Sequence, residues 1–219
     1  MRELDEFFIY KISNYCVDRE ILEIGCGEHS RLSGLSGSAN SLTCIDPDSE
    51  LIQKARSSAH PPNLRYLEGR AENLDWPAEK FDVVVFTLSF HHVPVALMDT
   101  AITEAVRVTR QDGLVIFLEP LAGSMFSKSM RRFNFCDGDE RSELAMAYYC
   151  MLNAQTLVEI AEFRERVIIE FDSFSDFTAR FPVRSGIEED LKDYLELNDY
   201  RLIDDCRMNV FSKSTYSLK

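Results

Sequence analysis

Two glycines follow a short apolar run near the start of the chain, in the stretch ILEIGCGEHS from Ile21 to Ser30. A turn without side chains, at Gly25 and Gly27, lets a ligand approach the backbone, and the amide hydrogens that follow attract a polar or anionic group. Asp46 closes the next apolar run, where a carboxylate can accept hydrogen bonds from two ribose hydroxyls. Together these features indicate a cofactor that contains adenosine.

Two adenosine cofactors compete for this turn: a nicotinamide or flavin dinucleotide, and S-adenosylmethionine. The dinucleotide fingerprint G-x-G-x-x-G needs a third glycine where this chain has Ser30, so the tight packing that admits a pyrophosphate is unsupported. Glu23 stands just before the glycine pair, where its carboxylate would repel a pyrophosphate and suits a ligand that carries an amino group. The residues therefore favour S-adenosylmethionine, and an NAD-dependent dehydrogenase is the least favoured alternative.

A pair of adjacent histidines, His91 and His92, is the other candidate for chemistry. We expect one ring to pack under the cofactor and the other to face the substrate, where it could serve as a catalytic base. We predict no metal site, because two adjacent histidines do not easily face one ion and no cluster of carboxylates or cysteines accompanies them.

The elements that must position these residues alternate between strands and helices. Helices are predicted around Arg31, over Ser49 to Ala59 with Asp48 as the cap, and over Val95 to Arg110, where Gly113 is expected to end the helix in a left-handed conformation. The strands of this half are predicted at Ile21 to Ile24, Leu42 to Asp46, Leu64 to Glu68, Phe81 to Thr87 and Leu114 to Glu119. This alternation predicts an α/β fold with a mostly parallel sheet covered on both faces.

The rest of the chain has a different rhythm. Residues 121–153 form a predicted helical insertion, Ala154 to Phe163 a helix, Val167 to Phe171 a strand, 173–199 further helices and Cys206 to Phe211 a last strand. Residues 1–18 contain a helix whose apolar face begins at Leu4. We therefore expect a single domain over residues 1–219, with a core at 20–120 and helical cap segments at 121–153 and 173–199.

Composition narrows the partners of the chain. The 219 residues carry a formal charge of −13, which repels phosphate backbones, disfavours nucleic acid and favours a small-molecule substrate. The apolar runs are too short to span a bilayer, the acidic N-terminus differs from a signal peptide, and six scattered cysteines suit buried thiols, so a cytoplasmic location is expected. The sequence does not fix the oligomeric state, and a homodimer is one candidate.

Several short motifs in one order resemble those of the class I S-adenosylmethionine-dependent methyltransferases, most closely the small-molecule, ubiquinone/menaquinone-type branch. The resemblance covers about residues 20 to 120, and it implies a Rossmann-like, doubly wound, mostly parallel seven-stranded sheet. The motifs that carry it are Glu23-Ile24-Gly25-Cys26-Gly27, Asp46-Pro47, Gly69 to Leu74, Phe81 to Val85 with Leu88 to Val93, Glu104 to Val108, Gly113 to Ile116 and Glu119-Pro120.

The resemblance also implies a role for individual residues. The segment from Glu23 through Cys26 to Gly27 would line the methionine end of the cofactor, and Asp46, beside Pro47, would hold the ribose. Arg70, Ala71 and Glu72 would border the adenine, whereas Thr87 and Leu88 would flank the methionyl part with His92 nearby. Two positions depart from the family pattern: His29 replaces a frequent third glycine, and Arg70 replaces an acid that often meets the adenine amino group.

The implied reaction is an in-line methyl transfer to a small-molecule acceptor, driven mainly by positioning. The departures at His29 and Arg70 leave open a different class of protein, a methyltransferase-like scaffold or activating partner that transfers no methyl group. A dehydrogenase is ranked last.

Overall fold

One sheet of seven strands organises residues 6–183 and 186–214, the part of the chain that the computed structural model describes. The strand order is β3-β2-β1-β4-β5-β7-β6; β1 to β5 run parallel, and β7 is antiparallel to both of its neighbours. The strands are β1 (Glu20–Ile24), β2 (Ser41–Asp46), β3 (Leu64–Glu68), β4 (Phe81–Thr87), β5 (Thr109–Pro120), β6 (Leu157–Glu170) and β7 (Arg201–Lys213). The predicted α/β, mostly parallel, seven-stranded fold is confirmed.

Helices lie between these strands. They are α1 (Glu6–Ser13), α2 (Ser49–Ser57), α3 (Met98–Val108), α4 (Met125–Phe133), α5 (Arg141–Asn153), α6 (Phe174–Arg180) and α7 (Glu188–Leu197). Short 3₁₀ helices span Ser33–Gly37, Phe90–His92 and Val95–Leu97. The predicted helix near Arg31 is thus a 3₁₀ turn two residues later, and the predicted start of the first helix at Leu4 lies outside the described residues.

Both faces of the central parallel strands β1 and β4 are buried, which explains their continuous apolar runs. In β4 every residue except Asp82 is buried, and its alternate side chains enter separate apolar clusters: Val83 and Val85 in one, Val84 and Phe86 in the other. Asp48 caps α2 as predicted, because its carboxylate accepts the amides of Glu50 and Leu51 at 2.8 and 3.2 Å. Strong burial and a good cap explain why this half follows the sequence pattern.

The predicted helix over Ala154 to Phe163 is wrong, because β6 occupies Leu157–Glu170. The 13-residue strand β7 offers backbone partners along the whole segment, and pairs such as Phe163 with Met208 place alternate side chains against the core. The β-branched run Val167 to Ile169, which was predicted as part of a separate strand, belongs to the same strand as this segment. The pairing with β7 therefore overrides the local spacing.

The predicted role of Gly113 is also wrong. Helix α3 already ends at Val108, and Thr109 continues in extended conformation into β5. Gly113 lies inside β5 with no left-handed φ, and a Cβ there would come within 2.6 Å of both the Asp82 carbonyl and the Thr109 side chain. Because glycine has no side chain, β5 can pack closely against Asp82 of β4 at this position.

Beyond β5, the helices α4, α6 and α7 share a third apolar cluster that is rich in phenylalanine. Phe126, Phe135, Phe177 and Phe181 are each almost fully buried and make ring contacts with one another. Among the described residues, no helix combines the length and apolar character needed to cross a bilayer.

Candidate active site

A cavity of about 490 Å³ opens at the carboxyl ends of β1, β2 and β4, the edge where parallel α/β sheets bind ligands. Its lining includes nine of the twelve residues expected at a cofactor: Gly25, Gly27, Asp46, Pro47, Arg70, Ala71, Glu72, Leu88 and His92. We call this space the first cavity. The other three, Glu23, Cys26 and Thr87, are completely buried and are not part of its lining.

The glycine turn is the floor of the first cavity. Gly25 and Gly27 adopt φ angles of +78° and +65°, a region that favours glycine. A Cβ on Gly25 would come within 2.3 Å of the Ser89 Cβ, so the turn also leaves no room for a side chain. The amides of Gly25 and Cys26 both donate to the Ile45 carbonyl, at 2.8 and 3.0 Å, which ties the turn to β2.

Asp46 anchors the same turn from the end of β2. One carboxylate oxygen accepts the Gly27 amide at 2.9 Å, and the other accepts the Asp48 amide at 3.0 Å. Each oxygen can accept more than one hydrogen bond, so both can also receive a ligand hydroxyl. Asp46 lines the first cavity, which places its acceptors where a ribose would need them.

Glu23 lies beneath this floor as a buried carboxylate with several donors. Thr87 donates to it at 2.7 Å, Cys44 lies 3.5 Å away, and the Ser30 hydroxyl makes a further hydrogen bond to it. These partners come from β4, β2 and the turn, so Glu23 joins the strands under the cavity. The sequence predicts that Glu23 lies at the methionine end of a ligand. In the structure its side chain lies below the residues that line the first cavity.

His29 and Arg70, the two departures from the family pattern, lie at the surface. His29 is exposed and does not line the first cavity, so it neither narrows nor closes it. Arg70 lines the rim with a side chain that is 66% exposed, and its guanidinium lies 3.9 Å from the Glu72 carboxylate. A pocket of cofactor size therefore persists despite both departures.

Arg31 and Ser89 are lining residues that sequence reasoning missed. Arg31 donates to the carbonyls of Gly25 and Thr87, at 3.4 and 3.2 Å, and thereby braces the turn against β4. Ser89 donates to the Ile24 carbonyl at 2.6 Å. Ser89 comes two residues after the predicted strand Phe81 to Thr87, and this position near the strand end could have identified it as a site residue. No motif included Arg31.

A second cavity of about 200 Å³ adjoins the first and shares Arg31, Leu88, His92 and Asp137 with it. Its outer wall comes from Met130 of α4, from Cys136, Asp137 and Glu140 in the following loop, and from Phe181 after α6. Leu88 adopts a φ of +55°, which is uncommon for a branched side chain and typical of residues held under strain at functional sites.

His91 and His92 meet the second cavity from one 3₁₀ turn, Phe90–His92. His91 is 4% exposed; its Nδ1 contacts the Glu119 carboxylate, and its Nε2 lies 3.4 Å from Glu140 Oε1. Burial opposes charge on His91, but the two carboxylates outweigh it and raise its pKa to about 10. The pKa of His92 is lowered, first because neighbouring protein atoms partly desolvate its ring and second because of the charge on His91. About half of the His92 side chain, 51%, remains exposed.

Comparison with known proteins agrees with this geometry. Residues 22–117 match the family model described as a methyltransferase domain. A structure of an S-adenosylmethionine-dependent methyltransferase from Aquifex aeolicus superposes with a TM-score of 0.60, covering 94% of this chain and 88% of that one at 13% identity, which shows the shared fold. Residues 22–117 are thus similar in sequence to a methyltransferase domain, and the chain shares its fold with an S-adenosylmethionine-dependent methyltransferase.

Two curated relatives resemble this same region. A fatty-acid O-methyltransferase from Mycolicibacterium smegmatis is 28% identical over 129 residues, which is 54% of this chain and 46% of that protein. A ubiquinone/menaquinone biosynthesis C-methyltransferase from Campylobacter jejuni is 28% identical over 109 residues, 47% of this chain and 45% of that protein. The matched part of the chain thus spans less than half the length of either relative.

Proposed function

We propose that this protein transfers a methyl group from S-adenosylmethionine to a small-molecule acceptor. The observation that carries the proposal is the first cavity, which collects at one sheet edge nine residues chosen from the sequence for contact with that cofactor. Residues from four separate motifs meet there. A scaffold protein that binds no ligand would not need these residues to line one cavity.

The fit of the cofactor follows from the lining of the first cavity. Asp46 offers two carboxylate oxygens for the ribose hydroxyls, and the bare backbone at Gly25 and Gly27 admits close approach of the methionine end. Ala71, with the Arg70 and Glu72 pair beside it, would border the adenine. When bound, S-adenosylmethionine supplies a methyl group on a positively charged sulfur.

The acceptor is assigned to the second cavity, because that cavity adjoins the first through Leu88 and His92. Met130 and Phe181 wall it off on the far side, so the segments 121–153 and 173–199 would act as a cap that excludes water. The chain contributes mainly by holding the acceptor atom in line. A base is needed only for an acceptor that arrives protonated, and of the two histidines His92, whose pKa is lowered, is the one able to take up a proton at neutral pH.

The chemistry of the acceptor is proposed only as far as a small molecule. One relative is named a fatty-acid O-methyltransferase and the other a C-methyltransferase of ubiquinone/menaquinone biosynthesis, so the ubiquinone/menaquinone branch is one option among several. The charge of −13 disfavours nucleic acid. The cytoplasmic location and the homodimer both stay predictions. Sedimentation of the purified protein tests the oligomeric state.

Calorimetric titration with S-adenosylmethionine and, separately, NAD tests the proposal. Micromolar binding of S-adenosylmethionine with no binding of NAD is expected, whereas binding of NAD alone would indicate a dehydrogenase. A screen of small-molecule acceptors for formation of S-adenosylhomocysteine then separates an enzyme from a scaffold. Absence of S-adenosylmethionine binding at millimolar concentration would favour the scaffold.

A further inference from the structure

Three side chains with metal-binding atoms meet in the second cavity. His91, His92 and Glu140 each offer one such atom, and the three atoms lie within 4.8 Å of one another. The sequence argued against a site at the histidine pair, because adjacent histidines do not easily face one ion and no cluster of carboxylates or cysteines accompanies them. Folding supplies a third ligand from Glu140, just before α5.

The spacing of these atoms suits a small ion. Glu140 Oε1 lies 3.4 Å from His91 Nε2 and 3.8 Å from His92 Nδ1. In a tetrahedral zinc site, with bonds of about 2.0–2.2 Å, neighbouring ligand atoms are roughly 3.4 Å apart. Small side-chain adjustments therefore bring all three atoms to bonding distance.

Glu119 gives the site an independent supporting feature. Its carboxylate contacts His91 Nδ1 and also accepts the Phe90 amide at 2.8 Å, so the imidazole is held with Nε2 directed toward Glu140. Metal-bound histidines usually donate their other ring N–H to a carboxylate in this way. Glu119 is 2% exposed, and the arrangement is therefore built into the core at the end of β5.

The charges around the three ligands also favour a cation. The carboxylates of Glu119, Glu140 and Asp137 surround the two imidazoles. Two guanidinium groups line the same cavity; Arg180 is paired with Asp176 at 2.8 Å, and the three carboxylates outnumber the positive charge that Arg31 contributes. The immediate surroundings of the histidines are thus anionic.

We propose that His91 Nε2, His92 Nδ1 and Glu140 bind one divalent transition-metal ion of the zinc class, with Glu119 orienting His91. Two imidazoles and one carboxylate are a known catalytic zinc set, which leaves a fourth position open. That position faces the second cavity, where an oxygen or nitrogen atom of a small molecule can coordinate. The site does not depend on the proposed methyl transfer.

Metal titration of the full chain after treatment with a chelator tests the proposal. Calorimetry with Zn²⁺ and visible absorption with Co²⁺ are expected to show one ion per chain and the intense bands of four-coordinate cobalt. Glu140→Gln and His92→Asn remove ligands, and each should weaken binding at least tenfold. Glu119→Gln should weaken it about 10- to 100-fold through loss of orientation.

His60→Asn is the matched control, since His60 is exposed and lies outside the second cavity. Thermal melting checks that each variant folds. No binding by the wild-type chain at millimolar Zn²⁺, or equal binding by Glu140→Gln and His92→Asn, would overturn the proposal. S-adenosylmethionine is titrated in a separate experiment, so zinc binding without cofactor binding would sink the methyltransferase proposal alone.

Discussion

The Gly27 amide donates a hydrogen bond of 2.9 Å to the Asp46 carboxylate, so the end of β2 fixes the turn that follows β1. The carboxylate thus has a structural role within the chain and an exposed edge in the first cavity. Ribose recognition and turn geometry depend on the same side chain.

Replacing Asp46 with Ala is expected to weaken binding of S-adenosylmethionine by about 1.5–3 kcal/mol, roughly 10- to 150-fold, the scale of hydrogen bonds to a charged group. Calorimetry measures the affinity, and a thermal melt checks the fold. Glu68→Ala is the control, because Glu68 pairs with Asp46 in register and is exposed outside the cavity. An unchanged affinity in Asp46→Ala would refute the ribose assignment.

Gly25→Ala is expected to destabilise the fold and to abolish cofactor binding. The new methyl would meet the Ser89 Cβ at 2.3 Å, and the φ of +78° is strained for alanine, so a loss of about 1–3 kcal/mol or more is expected in urea unfolding. Gly34→Ala, which meets open space, should change little. In the double variant Gly25→Ala/Ser89→Gly, partial recovery of stability is expected; if the double variant is no more stable, the contact with Ser89 is not the cause.

Glu23→Gln is expected to affect stability more than ligand affinity. The buried carboxylate accepts hydrogen bonds from Thr87 and Ser30, and neutral acceptors are weaker, so about 1–3 kcal/mol should be lost in urea unfolding. Since Glu23 is below the cavity floor, the dissociation constant of S-adenosylmethionine should change less than threefold. A tenfold loss of affinity at unchanged stability would show that Glu23 contacts the ligand instead.

Acid stability should depend on Asp82. Burial raises its pKa, but the Glu20 amide and Arg110 outweigh burial, so the pKa lies below the usual 3.8. The folded state therefore binds this proton more weakly than the unfolded state. The stabilisation is present above pH 3.8 and is lost as the pH falls through the lowered pKa of the folded state.

Asp82→Asn accordingly should destabilise the protein at pH 7, and the difference from wild type in urea unfolding should shrink as the pH falls below 3.8. The exposed Asp75 supplies the control, Asp75→Asn, for which no such convergence is expected. A difference for Asp82→Asn that stays constant at every pH would contradict the assignment.

Thiol labelling should distinguish one cysteine from the other five. Cys136 is exposed in the wall of the second cavity, whereas the others are buried, and burial raises the pKa of Cys16 to about 12. A thiol reagent at neutral pH is expected to label one equivalent quickly in the wild-type chain and none in Cys136→Ser. Fast labelling of two or more thiols would mean that the core opens more readily than its packing implies.

The first half of the fold could be read from the sequence because its signals are local. Apolar strands end at Ile24, Asp46 and Thr87, and the parallel sheet brings those ends together whatever the helices do. Nine residues expected at a cofactor therefore line one cavity, whereas Arg31 and Ser89 of the same half were missed.

The second half could not be read in the same way, because its structure depends on distant partners. β6 extends over Leu157–Glu170 because β7 pairs with it along that length, whereas the local pattern predicted a strand only over Val167 to Phe171. Glu140 reaches His91 only through the packing of a segment that matches no motif. Glu119 was visible within a motif, but its contact with His91 required the fold.

The turn that Ile45 and Asp46 tie down is rigid before any ligand arrives. Loss of the methyl group leaves the ribose of the cofactor unchanged, so the Asp46 carboxylate that would hold the ribose would also hold the spent product. Under the proposed function, product inhibition is therefore the expected kinetic signature. Turnover would then be set by how quickly S-adenosylhomocysteine leaves the floor.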